Sequence, residues 1–218
     1  MTQDAKRTAA RAAIDLIRDN MLIGLGTGTT TQIFIHLLNE RVKKGLKIRA
    51  LASSKESQQL AKQGGIPLLD PATCTQLDLT VDGADEIDSQ KRMIKGGGGA
   101  LVREKIVAAM SKKMVVIVDS SKLVDRLGKR PLPVEVIPFG AEATKKHLQD
   151  IGYKSTWRHF TTDNGNWILD IHFDTPRAHP EKDHAAIIDI PGVVDTGFFF
   201  NLAHQVIIGY PDGRVETR

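Results

Sequence analysis

At 218 residues with 41% hydrophobic content, the chain carries enough apolar material to bury a full core, as one large domain or a large and a small one, which excludes intrinsic disorder. A formal charge of +4 is compatible with nucleic acid, but Lys and Arg are interleaved with Asp and Glu, and the two Trp, two Tyr and seven Phe fall in no basic aromatic pattern; no nucleic-acid partner is expected, and mild basicity favours a small anionic substrate. One cysteine, Cys74, excludes an intramolecular disulfide framework, and the lack of a signal-like amino terminus or an 18-residue apolar run predicts no membrane association and a cytoplasmic location.

In chain order, residues 4–19 place Ala9, Ala12, Ala13, Leu16 and Ile17 on one helical face, and 21–25 reads as a short apolar strand. Helical spacing returns in Ile33, Phe34, Leu37 and Leu38; residues 48–52 form a second strand and 55–63 another helix, ended by Gly64-Gly65. Further strands are predicted at 66–69 and 77–81, a helix at 101–110 and a β-branched strand at 114–118. This alternation predicts an α/β fold, a Rossmann-like parallel sheet with helices on both faces and right-handed crossovers.

Composition shifts at residues 127–133, where two prolines fall. Beyond it the pattern predicts a helix at 140–150, strands at 153–159 and 167–173 around a turn at Asp163-Asn164-Gly165-Asn166, a helix at 180–188 and a strand at 193–200. That β-α-β-β-α-β order predicts a smaller ferredoxin-like α+β domain. The expected domains are 1–130 and 131–204, with 205–218 joining the first if its strand at 205–209 returns there.

Gly24-Leu25-Gly26-Thr27-Gly28-Thr29-Thr30-Thr31 follows the first strand and opens a helix. Glycines allow close backbone approach, and the amides of a helix start, with hydroxyls beside them, suit an anion. The dinucleotide pattern fails at its third glycine, no Gly-Lys-Ser/Thr of a Walker loop follows, and no acid stands on the second strand, where Ala50-Leu51-Ala52-Ser53 occurs. Three consecutive threonines favour a terminal phosphate; a plain strand-to-helix turn with a Thr cap is the bland alternative.

Val81-Asp82-Gly83-Ala84-Asp85-Glu86 ends the apolar run 77–81, so Asp82 is expected where a buried strand emerges, the usual ligand position in an open α/β sheet. Asp82 and Asp85 flank a tight turn, compatible with acid/base work, metal binding or capping of loop amides. No histidine lies near them in sequence, which disfavours metal. Lys95 precedes four glycines, Gly96 to Gly99, a destabilising choice unless bare backbone is needed. Successive amides beside an ammonium would form an oxyanion hole. Glu104 falls within the first turns of the following helix, whose N-terminus favours its charged form while neighbouring acids and burial oppose it.

Gly26-Thr27-Gly28-Thr29-Thr30, Ser53-Ser54, Val81–Glu86, Met93–Gly98, Leu101–Lys105, Asp119–Lys122, Pro131–Pro138, Thr162–Asn166 and Ile190–Val194 stand in one order along nearly the whole chain. In this they resemble the ribose-5-phosphate isomerase A family, in which Ser often stands where this chain has Thr29. The resemblance implies reversible conversion of ribose 5-phosphate to ribulose 5-phosphate in the pentose phosphate pathway, without metal or organic cofactor. It implies Glu104 as the base of a cis-enediolate mechanism and Lys95 with the Gly96, Gly97 and Gly98 amides as holders of the enediolate oxygens. Asp82 and Asp85, with Gly83 and Ala84 between them, would bind hydroxyls and assist ring opening. Thr27, Gly28, Thr29 and Thr30 would bind phosphate, Lys122 would contact the substrate, and the assembly would be a homodimer or a dimer of dimers. The alternatives from other classes are a sugar-phosphate-sensing binding module, for which no helix-turn-helix or basic stripe is present, and a nucleotide-binding oxidoreductase.

Overall fold

The computed structural model describes residues 3–218. Among these the strands are β1 (Leu22–Leu25), β2 (Arg49–Ala52), β3 (Leu79–Asp82), β4 (Glu86–Ile87), β5 (Met93–Ile94), β6 (Met114–Asp119), β7 (Leu132–Val136), β8 (Lys154–Thr161), β9 (Trp167–His172), β10 (Val193–Thr196), β11 (Phe198–Phe199), β12 (Gln205–Gly209) and β13 (Val215–Thr217). The helices are α1 (Gln3–Ile14), α2 (Thr29–Lys43), α3 (Lys55–Gln63), α4 (Leu101–Ala109), α5 (Ala141–Asp150) and α6 (Pro180–Ile188), with a 3-10 turn at Ser120–Lys122. The chain divides into two compact units, one of Met1–Ala84, Arg103–Lys122 and Asn201–Arg218, the other of Asp85–Val102 and Leu123–Phe200.

The first unit is built on a six-stranded sheet in the order β13-β12-β6-β3-β1-β2, parallel except for the antiparallel edge strand β13. Strand alternation decides which helix each residue meets. Ile23 and Leu25 pack with Ala9 and Ala13 of α1 and Phe34 and Leu38 of α2, each large side chain contributing about 1.5–3 kcal/mol by burial. Gly24, between them, faces α4, where an added Cβ would lie 2.6 Å from Val107 Cγ1. The same Cβ would lie 1.9 Å from Thr80 Oγ1 on β3, so Gly24 leaves room for the side chains of Thr80 and Val107. Likewise α1 lies so close on β12 that a Cβ on Gly209 would meet the Ala5 carbonyl at 1.9 Å.

The second unit contains a four-stranded antiparallel sheet, β10-β7-β9-β8, the fourth-first-third-second order of a split β-α-β. Val134, Val136, Leu169 and Ile171 of the sheet bury against Leu148 of α5 and Ile187 of α6. A separate three-stranded sheet, β11-β5-β4, is antiparallel throughout.

Three expectations are corrected. The first helix ends at Ile14 and not at 19, because Leu16 and Ile17 turn back on Ala13 and Ile14 through short i to i−3 bonds. Residues 66–69 make one bridge, Leu68 to Ala50, since Pro67 offers no N–H to continue a ladder. The strand expected at 193–200 breaks at Gly197, whose N–H bonds Pro133 O at 2.7 Å and whose carbonyl accepts from Lys95 N at 2.9 Å. The C-terminal strand β12 pairs in parallel with β6, Gln205 beside Val115 through Gly209 beside Asp119.

Candidate active site

In the first unit β1 lies between β3 and β2, so successive connections leave it in opposite directions and open a crevice at the carboxyl ends of β1 and β3. Residues from four adjacent strands reach that edge. Gly26 to Thr30 follow β1, Ser53 follows β2, Asp82 ends β3, and the turn carrying Lys122 follows β6. Asp82, fully buried, ties the edge together. Its Oδ1 accepts from the amides of Thr27 at 3.0 Å and Gly83 at 2.7 Å and from Thr31 Oγ1 at 3.4 Å.

The carboxylate of Asp82 comes so near the loop that a Cβ on Gly26 would lie 2.0 Å from it; this glycine serves close approach. Gly28, at φ 103°, is the N-cap of α2 and brings no side-chain bond to the first helical amides. The Thr cap considered from sequence is therefore not formed, and the helix start keeps its donors directed outward. Thr27 Oγ1 is held by Ser53 Oγ at 2.8 Å. Lys6 of α1 places its Nζ 2.7 Å from Thr29 Oγ1, adding an ammonium at the same helix end. Sequence reasoning missed Lys6, because a lysine on an N-terminal helix carries no local sign of a partner 23 positions away.

Glu104 is buried, 4% exposed, in the first turn of α4. Two bonds fix the direction of that helix against β3: Leu77 N donates to Met110 O at 2.9 Å, and Thr80 Oγ1 to Val107 O at 3.3 Å. α4 thus runs antiparallel to β3, and one turn further toward its N-terminus Glu104 reaches the level of the carboxyl end of β3, where Asp82 stands. Lys122 closes the 3-10 turn at the end of β6, a turn held by Asp119 Oδ1, which accepts from Ser121 N at 3.0 Å and from Ser121 Oγ.

In the second unit the β4–β5 pairing does the placing. Glu86 lies opposite Ile94 and Ile87 opposite Met93, so Asp85 and Lys95 occupy the next register positions on the two strands. Asp85 N donates to Ile94 O at 2.9 Å, and Asp85 Oδ2 accepts from Gly97 N at 2.7 Å. Lys95 is 2% exposed, with its Nζ 5.5 Å from the centre of the Phe199 ring. Gly96 takes φ 97° and Gly99 φ 79°, and Gly99 N closes a turn on Gly96 O at 2.9 Å. Gly97 and Gly98, between them, are exposed. The loop therefore shows two consecutive bare peptides beside a buried ammonium and a carboxylate.

A family model described as Ribose 5-phosphate isomerase A (phosphoriboisomerase A) matches residues 49–213. The chain belongs to that family. It is 49% identical to the ribose-5-phosphate isomerase A of Protochlamydia amoebophila over 97% of this chain and 94% of that one, and 46% identical to that of Bacillus mycoides over 97% and 98%. Among solved structures, the ribose 5-phosphate isomerase A of Methanocaldococcus jannaschii superposes with a TM-score of 0.92 at 37% identity, covering 100% of this chain and 99% of that one. A D-ribose-5-phosphate isomerase in complex with phospho-erythronic acid gives 0.92 at 38% identity, covering 98% and 96%. The ribose-5-phosphate isomerase A fold expected from the sequence is thus the fold observed. Among the described residues, no helix is long and apolar enough to cross a membrane.

Proposed function

We propose that this chain interconverts D-ribose 5-phosphate and D-ribulose 5-phosphate, the non-oxidative isomerisation of the pentose phosphate pathway. It is an aldose-ketose isomerase. The observation that carries the reading is a buried carboxylate, Glu104, at the carboxyl edge of the parallel sheet in a chain of this family.

The residue roles, Lys6 apart, are those that the family resemblance implies, and the chemistry each demands agrees with them. Deprotonation beside a carbonyl needs a shielded base and fixed positive or N–H groups where negative charge grows. Glu104 takes the C2 proton of the open-chain aldose, leaving a cis-enediolate, and returns a proton to C1; O1 gains a proton as O2 loses one, so the aldehyde becomes a ketone with no net change in composition. Lys95 and the amides of Gly96, Gly97 and Gly98 stabilise the enediolate oxygens. Asp82 and Asp85, with the Gly83-Ala84 backbone, bind substrate hydroxyls and assist ring opening. The phosphate sits on Thr27, Gly28, Thr29 and Thr30, with Lys6 neutralising it, and Lys122 contacts the substrate. Holding the phosphate far from the reacting carbons keeps them in register. No step requires a metal or organic cofactor. The phospho-erythronic acid bound by one relative, a phosphorylated four-carbon sugar acid, has the planar, anionic end that an enediolate would present, which supports this assignment.

We further read the protein as cytoplasmic and as a homodimer, with sedimentation velocity as the check on assembly. The activity is tested by incubating chelator-treated protein with ribose 5-phosphate and following ribulose 5-phosphate with and without EDTA. Equal conversion in both supports the reading; no conversion defeats it, and loss only with EDTA makes the reaction metal-dependent.

A further inference from the structure

Arg158 of β8 spends its guanidinium on two tasks. Its Nε and Nη2 grip the carboxylate of Asp170 on β9, with Nε 2.9 Å from Oδ2, and its Nη1 donates to Gly96 O at 2.9 Å and Gly97 O at 3.1 Å. Both side chains are largely covered, 24% and 16% exposed. One fork thus ties two carbonyls of the glycine loop to the neighbouring sheet.

The consequence comes from peptide geometry. Peptides here are trans, so each N–H points opposite the C=O of the residue before it. Holding Gly96 O toward Arg158 turns the Gly97 N–H away from it, and that N–H is the one found 2.7 Å from Asp85 Oδ2. Holding Gly97 O does the same for the Gly98 N–H. The Gly96–Gly97 peptide is held as well by Gly99 N on its carbonyl and Asp85 Oδ2 on its N–H, whereas the Gly97–Gly98 peptide, flanked only by glycine, depends on Arg158 to resist flipping. A cation on their carbonyls also polarises them, making the opposite N–H groups better donors. Only a planar fork can hold a carboxylate on one edge and two carbonyls on the other, a task a lysine cannot duplicate.

We propose that the Arg158–Asp170 pair is the positioning device of the isomerase, fixing the Gly97 and Gly98 amides toward the side on which the enediolate oxygens bind. Arg158 touches no substrate; it acts through the backbone. This rests on the isomerase reading above, in which those amides meet developing charge.

The experiment compares wild type, Arg158→Lys and Arg158→Ala. The lysine variant keeps the cation and apolar stem, so it folds even if the alanine variant does not. Expected is a kcat lowered roughly tenfold in Arg158→Lys and about 10²-fold in Arg158→Ala, the scale of a lost oxyanion donor, with KM within about twofold. The ¹H–¹⁵N resonances of Gly97 and Gly98 should shift or broaden in Arg158→Lys. Wild-type kcat, or unmoved Gly97 and Gly98 resonances, in Arg158→Lys overturns the proposal. Inactivity of the wild type toward ribose 5-phosphate would instead defeat the isomerase reading, and the resonances would still decide whether Arg158 sets the loop.

Discussion

The Gly97 amide donates to Asp85 Oδ2 at 2.7 Å, and a Cβ placed on Gly97 would stand 2.7 Å from Asp85 Oδ1. The residue that gives the carboxylate its hydrogen bond must therefore also lack a side chain. Gly97 is exposed and outside the left-handed region, so neither burial nor backbone strain explains it; the approach of Asp85 does.

Gly97→Ala tests this relationship. The methyl displaces the carboxylate or tilts the peptide, so kcat/KM toward ribose 5-phosphate should fall by at least about tenfold. Because the site is exposed, the melting temperature should move little, as for most surface changes. Unchanged kcat/KM would show that Asp85 and this amide need not meet.

Lys95→Ala should lower kcat more than it raises KM, since its ammonium is assigned to charge that develops in the transition state. The expected loss is about 10²–10³ in kcat. A change confined to KM would make Lys95 a binding group only.

Lys6→Ala should do the reverse. The ammonium beside Thr29 is assigned to a phosphate that does not react, so its loss should raise KM several-fold with kcat within about twofold. Raising ionic strength should shrink the difference between variant and wild type. An equal fall in kcat at saturating substrate would place Lys6 elsewhere in the mechanism.

Glu86 supplies a pH signature. It is 1% exposed and accepts from the amides of Gly128 at 2.7 Å and of Arg130. Burial pushes its carboxyl above the usual 4.5, outweighing those bonds and the nearby Arg130 and Lys129 charges. A raised folded-state value means the native protein binds the proton more tightly than the unfolded chain, so this contribution is complete below about pH 4.5 and is lost as pH rises through the folded value. Urea midpoints for wild type and Glu86→Gln should therefore diverge with rising pH, wild type losing ground above about pH 4.5. A difference independent of pH would remove Glu86 from this role.

Legibility in the sequence followed the range of the interaction. Helix α3, with Ser54 capping it through Ser57 N, and the β-branched β6 are written in local pattern, and both were expected where they occur. The two-residue strands β4 and β5 were not expected at all, and β11 was expected only as the end of one continuous strand at 193–200. No periodicity exists in two residues, and their pairing is decided by partners such as Phe198 and Ile94, far apart in sequence. The antiparallel edge strand β13 was unforeseen for a similar reason, being short and largely exposed. Residue types announced the candidate site, because four glycines after a lysine and acids at a strand end are poor choices for stability. What they did not announce was how each glycine is used: Gly26 for the approach of Asp82, Gly97 for that of Asp85, and Gly99 for that of the Phe160 ring, which an added Cβ would meet at 2.3 Å. Lys6 and Arg158 stayed hidden because their targets are backbone or hydroxyl atoms on other elements.

Glu104 is the group assigned to move the proton between C2 and C1. That assignment is tested most directly by measuring kcat for ribose 5-phosphate in Glu104→Gln while titrating the same variant with phospho-erythronic acid in a calorimeter. On this assignment affinity for the sugar acid stays within about tenfold of wild type while turnover falls by at least about 10², the usual loss with a general base. Turnover near the wild-type rate in a variant that binds normally would contradict it.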